Sequence, residues 1–359
     1  MQILCLVLLV APILVHSLVP GGDIQVPDGQ TLIKTSKYGS SLYTIDAPNS
    51  IYTDPPYLLD LTPLTAFEQG FDAGYLIGDQ FVENYQNLMN TLFGTASWEP
   101  LAQAALSIFL DNQWNKYLKL QVPEDFLQEI EGLTAGGRAA GITGKDDVGL
   151  IASRGVALAN LPGSLVNIKF LLLDEYGPNA TNSKEVQDMI AQTGLSLDQL
   201  SEMLKTLSAN WAGFSCSMFG VWGSRTEGGR LFTGRNLDYL SNSGISKFKL
   251  ITVFGATVDP STKVRSISHA TIGFSGLWGA LTGVSSEGLT MHEANLESDD
   301  ISYRGFPWVL RLRYLMKYAS NIDEVKYSRT IISLCSHITV CSHLNPNCWI
   351  YPVFKSCRI

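Results

Sequence analysis

The hydrophobic period of this chain changes at about Ser215, and that change constrains the fold more than any other feature. Upstream, Leu64, Phe67, Phe71, Tyr75, Gly78, Val82, Tyr85, Leu88 and Leu92 step by three or four residues. That spacing predicts one long amphipathic helix. The stretch from Glu124 to Ala140 follows Pro123 and has acids in its first turn, as a helix dipole favours, so it predicts a second helix. Asp146 to Asn160 and Ser196 to Leu207 read likewise. Downstream the pattern shortens. Cys216 to Trp222, Arg230 to Gly234, Lys247 to Phe254, Val264 to Ala270, Ala280 to Val284 and Gly288 to His292 read as strands. Turns such as Glu227-Gly228-Gly229 and Asp259-Pro260 separate them. Pro307 to Ser320 returns to helix. Strands followed by a covering helix predict an α+β fold in which sheet layers are covered by helices.

The chain has 359 residues, 45% of them hydrophobic, which is enough for a large core without disulfide staples. With 33 acids against 25 Lys plus Arg, the net charge of −8 leaves no basic excess to neutralise phosphates, so no nucleic-acid partner is expected. Residues 1–17 run Met-Gln, an apolar stretch from Ile3 to Val15, then His16-Ser17, and Val15 and Ser17 suit the −3 and −1 positions of signal-peptide cleavage. No later stretch reaches the roughly 18 uncharged apolar residues of a membrane span. A glycosylation sequon, Asn179-Ala180-Thr181, lies in a Gly/Pro/Asn-rich loop. Leader and sequon together predict a secreted or lysosomal glycoprotein.

The final 33 residues, Tyr327 to Ile359, differ in kind. They hold no Asp or Glu, four of the six cysteines (Cys335, Cys341, Cys348, Cys357) and two of the five histidines (His337, His343). Asn321 to Val325 reads as a helix start that is not continued. Two readings stand: an alternative exon, retained intron or frameshift replacing the native end, or a genuine disulfide-linked or zinc-binding tail. The cysteine spacings fit no CxxC zinc pair. The expected organisation is therefore a leader at 1–17, a helix-rich region at 18–215, a catalytic core at 216–326 and an atypical tail at 327–359.

Between leader and tail one cysteine remains, Cys216, within Trp211-Ala212-Gly213-Phe214-Ser215-Cys216-Ser217. A lone cysteine is most often a small buried hydrophobe. Shortly after it comes Gly234-Arg235-Asn236-Leu237-Asp238, whose Arg and Asp would alone read as a solvated pair. Further on lies Gly288-Leu289-Thr290-Met291-His292-Glu293-Ala294-Asn295.

Taken together these blocks resemble the cysteine N-terminal-nucleophile (Ntn) hydrolases, specifically the choloylglycine hydrolase, acid ceramidase and penicillin acyltransferase-like group. Members show a Cys followed by Ser or Thr, an apolar strand, a Gly turn, G-R-N-x-D and a later G-L-x-x-x-x-x-N strand. The resemblance covers roughly Ser215 to Val325, and the long helical region upstream agrees with a pro-region. It implies an αββα sandwich, C-terminally truncated if the tail is not native, and a precursor that cleaves itself between Ser215 and Cys216. In that reading Cys216 supplies both thiol and α-amine, whose pKa of about 7.7–8.0 suits it to accept the thiol proton and return it to a leaving amine. Arg235 beside the sulfur would favour thiolate. Asp238 would orient the α-ammonium. Asn295 would donate to the developing oxyanion, a contribution of about 3–4 kcal/mol.

The resemblance implies hydrolysis or acyl transfer of a linear N-acyl amide, with ceramidase-like lipid amides favoured, no cofactor, and cleaved chains that remain associated. Phe219, Trp222, Phe274 and Trp278 are candidates for the acyl-binding wall. A phospholipase B-like ester hydrolase, and a truncated, catalytically dead secreted product, are the alternatives. A papain-like Cys–His pair using His269 or His292 lacks its usual context, Glu293 reads as an ordinary strand residue, and no clustered ligands suggest a metal.

Overall fold

The computed structural model describes residues 29–45, 54–62, 65–93, 99–160, 215–238, 244–259, 263–294 and 305–325, a few positions between 184 and 191, and the strand backbones at 337–342 and 349–351. The fold is mixed α and β. Three strands open it: β1 (Gln30–Thr35), β2 (Ser41–Ile45) and β3 (Tyr57–Leu61). Four helices follow: α1 (Ala66–Phe93), α2 (Glu99–Gln113), α3 (Glu124–Ala139) and α4 (Val148–Ala159). Then come strands β4 (Ser215–Gly223), β5 (Gly229–Asp238), β6 (Lys249–Phe254), β7 (His269–Phe274), β8 (Thr282–Ser285) and β9 (Leu289–Ala294), helix α5 (Trp308–Tyr318), and strands β10 (His337–Ser342) and β11 (Trp349–Tyr351).

The long predicted helix is α1. Its start is fixed by a capping box, in which Thr65 Oγ1 accepts from the Glu68 N–H at 3.3 Å and Glu68 Oε2 accepts from the Thr65 N–H at 3.0 Å. The second predicted helix is α3. The third, α4, starts at Asp147, whose carboxylate accepts from the N–H groups of Gly149 and Leu150. The helix expected over Ser196 to Leu207, the leader and the sequon at Asn179 lie outside the described residues.

Nine strands form one mixed sheet in the order β1-β2-β3-β6-β7-β8-β9-β10-β11. Neighbours run antiparallel except β3 and β6, which pair in parallel from Tyr57↔Leu250 to Leu61↔Phe254. The region upstream of Ser215 therefore supplies three strands to the sheet as well as helices, and α2 is a further helix of the stretch expected to be helix-rich. The strand expected over Val264–Ala270 begins only at His269. Serine side chains explain the delay: Ser266 Oγ accepts from the Thr257 N–H at 2.7 Å and Ser268 Oγ donates to the Phe254 carbonyl at 3.1 Å, so this stretch spends its polar groups outside the ladder. In the tail, the β-branched run Ile338-Thr339-Val340 pairs with β9, so this segment extends the main sheet.

Both faces of the central strand β6 are buried. On one face Leu59, Leu61, Leu250 and Phe254 pack with Ile77, Phe81, Phe126 and Trp278, joining the sheet to α1 and α3. On the other, Leu58, Ile251, Val253, Ala270 and Val284 form a second cluster. Leu289 and Met291 of β9 pack on Leu312, Leu315 and Met316 of α5. Strands β4 and β5 make a separate antiparallel hairpin that lies against β9. Among the described residues no helix is long and apolar enough to cross a membrane.

Candidate active site around Cys216

The hairpin brings the first two sequence blocks together. Its register pairs Ser215 with Asp238, Cys216 with Leu237, Ser217 with Asn236 and Met218 with Arg235. Side chains alternate across a strand, so Cys216 and Arg235 are diagonal neighbours on one face. Arg235 Nη2 lies 3.0 Å from Cys216 Sγ, and Cys216 is half-buried. Strand β5 runs through the whole G-R-N-x-D block, four residues beyond the Gly234 at which the sequence pattern ends the strand.

The third block arrives from β9. Arg235 Nε donates to the backbone carbonyl of Glu293 at 2.6 Å, and its Nη2 donates to Glu293 Oε2 at 2.8 Å. Both side chains are almost fully buried, at 6% and 3% exposure. One guanidinium nitrogen therefore serves both the thiol and a carboxylate. Burial raises the Glu293 pKa above its ordinary value, and the neighbouring Arg235 charge only partly opposes this. His292, buried beside it with neither ring nitrogen hydrogen-bonded among the described residues, is driven to a pKa of about 4 by burial and by the Arg235 charge, so it is neutral at pH 7.

The sequence missed Glu293. A signal was present: an acid follows Leu289 and Met291 at the same parity, a face that is otherwise core. The Asp238 and Ser215 side chains, and all of Asn295, lie outside the described residues. The backbone still sets Asp238 opposite Ser215 in the hairpin register, and Asn295 directly follows the last residue of β9.

The four aromatic candidates do not form one wall. Phe274 and Trp278 are buried, lining a small cavity between α1 and the main sheet together with Phe81. Trp278 Nε1 donates to Glu129 Oε2 at 3.0 Å, which ties it to the core. Phe219 is 61% exposed and lies across Gly234, where a Cβ would stand 2.5 Å from its ring. Alternation puts it on the hairpin face opposite Cys216. Trp222 is half-buried near the hairpin turn. His269 stacks on Phe254 with ring centroids 4.8 Å apart, and its Nδ1 bonds to the Ile267 carbonyl, both in the core beside β6. No group of three or more metal-ligating side chains occurs among the described residues.

No protein-family model matches this chain, and no curated protein matches it. The chemistry has to be argued from the site itself: a half-buried thiol, a guanidinium in contact with it, a buried carboxyl on that guanidinium and a neutral histidine.

Proposed function

We propose that the chain is an Ntn-type amidohydrolase or acyltransferase whose nucleophile is Cys216. The observation that carries this reading is the 3.0 Å contact between Arg235 Nη2 and Cys216 Sγ at the start of β4. A cation at the sulfur is the environment of a reactive thiol, whereas a structural cysteine sits among apolar groups. Maturation would begin with the Cys216 thiol attacking the Ser215 carbonyl carbon. The Ser215–Cys216 C–N bond breaks, the thiol proton ends on the released α-amine, and water then hydrolyses the thioester to a Ser215 carboxylate and a free thiol. In the mature protein the α-amine takes the thiol proton and delivers it to the amine leaving an N-acyl substrate.

Two features support the wider reading. The β4–β5 hairpin lying against β9 of a helix-covered sheet suits two stacked β layers in an αββα arrangement. The cut would separate β3 from β6 in sequence, yet these strands pair over five residues and the helices of both segments share one core. The cleaved chains would therefore stay together. We take a lipid amide as the substrate class and a secreted or lysosomal protein as its setting.

Intact mass spectrometry with N-terminal sequencing tests the proposal. A new terminus at Cys216, absent in Cys216→Ala, is expected. A chain that stays uncut after long incubation at acidic and neutral pH rejects it. Matched amide and ester lipids then assign the bond, because turnover of the ester alone contradicts an amidohydrolase.

A further inference from the structure

The task that the family resemblance implies for Arg235 is to favour thiolate at Cys216. The structure gives that guanidinium two claimants. Its Nη2 contacts Cys216 Sγ at 3.0 Å and Glu293 Oε2 at 2.8 Å, and its Nε is held at 2.6 Å by the Glu293 carbonyl. Among the described residues Glu293 Oε1 is buried without a hydrogen-bond partner, and Arg235 is the group there that answers the carboxylate charge. The titratable or charged side chains that the described residues set around this point are Cys216 on β4, Arg235 on β5, and His292 and Glu293 on β9. His292 is neutral at pH 7, which leaves Arg235 as the one cationic side chain among them for two acids.

We propose that Glu293 is a positioning and charge-setting residue for Cys216, which holds Arg235 against the sulfur and, when ionised, takes up the positive charge that the thiolate needs. The two acids then titrate against each other. With Glu293 ionised, loss of the thiol proton to solvent leaves two negative charges around a single guanidinium in a buried site, and repulsion disfavours it. With Glu293 protonated, the cluster Arg235 plus thiolate is neutral and the thiol ionises more readily. Acidification of Glu293 thus primes the thiol, the opposite of what an isolated cysteine does. This inference rests on Cys216 being the functional thiol, as proposed above.

The test is the pH dependence of Cys216 alkylation by iodoacetamide in the full chain, followed peptide by peptide so that the other five cysteines do not contribute. Glu293→Gln keeps the size and a donor–acceptor amide but removes the charge. Its Cys216 midpoint is expected to fall by about one pH unit or more relative to the parent chain. An unchanged midpoint overturns the proposal, because loss of a merely structural group slows alkylation without moving its pH profile. A raised midpoint overturns it too, since Arg235 would then depend on Glu293 for position alone. If Glu293→Gln does not fold, Glu293→Met is read by the same criterion. Intact masses of the same samples report self-cleavage separately. A shifted midpoint in an uncut chain rejects the nucleophile reading and keeps the charge coupling, whereas a cut chain with no shift does the reverse.

Discussion

Arg313 of α5 donates to Glu129 of α3, and both side chains are wholly shielded from solvent. Lys317 Nζ adds bonds to Glu129 Oε1 at 3.2 Å and Asp125 Oδ2 at 2.6 Å, and Trp278 Nε1 completes the shell. The Arg313 guanidinium also lies over the rings of Phe126, Phe254 and Trp278, which offer their π faces to it. This cluster ties helix α3, before the proposed cut, to helix α5 after it. Glu129→Ala leaves Arg313 buried without its anion and strips Lys317 of one of its two carboxylates, so a loss of about 3–5 kcal/mol is expected in urea unfolding at pH 7. The sign with pH follows. Burial would raise the Glu129 pKa, but the charges of Arg313 and Lys317 outweigh it and hold it below its ordinary value. Its contribution is complete above that ordinary value and is lost as pH falls through the lowered one.

Helices α1 and α3 run side by side in the same direction with their backbones almost touching. A Cβ built at Gly136 would lie 1.9 Å from the Phe71 carbonyl oxygen, and one at Gly70 would lie 2.0 Å from that of Glu129. Propensity alone makes Gly→Ala in a helix favourable by about 1 kcal/mol. Here the seam reverses the sign, because backbone cannot yield as a side chain can. Gly136→Ala is expected to lower stability by about 2–3 kcal/mol in thermal or urea unfolding. A gain would show that the two helices do not pack this closely.

How far the sequence could be read depended on whether the deciding force was local. Helices α1, α3, α4 and α5 were legible because apolar spacing and caps are written within each segment. Strands β1 to β3 were not. Leu32 and Ile33 of β1 are both exposed, so that strand lacks the alternation that betrays a half-buried sheet, and β3 gains its place through parallel pairing with β6, almost 200 residues away. At the site, the pairing of Cys216 with Arg235 was implied by the family resemblance, and the hairpin that brings them together is a local structure. Glu293 could not, because its role arises only when β9 is laid against that hairpin.

The aromatic residues separate by stability. Phe274 is 7% exposed within the cluster that includes Ile245 and Leu281. Its truncation in Phe274→Ala should cost about 3–5 kcal/mol. Phe219 is 61% exposed and gives up only a cross-strand contact over Gly234, so Phe219→Ala should cost under about 1 kcal/mol. Chemical denaturation of the two variants side by side checks the contrast. Equal losses would mean that the outer face of the hairpin is covered in solution.

His292 should make the protein sensitive to acid. Its folded pKa of about 4 stands below the ordinary 6.5, first because of burial and then because of Arg235. A depressed histidine binds its proton more readily when unfolded, so the unfolded state gains as pH falls from 6.5 toward 4. Over that window the loss is about 3 kcal/mol. Neither ring nitrogen has a hydrogen-bond partner among the described residues, so an apolar ring of similar size forfeits no bond to them. His292→Phe is therefore expected to be near-neutral at pH 7 and to flatten the decline between pH 7 and pH 4.5, read as unfolding free energy from urea titrations. If the variant declines as steeply as the parent chain, the acid sensitivity belongs to another group, and His292 is hydrogen-bonded or solvated in solution.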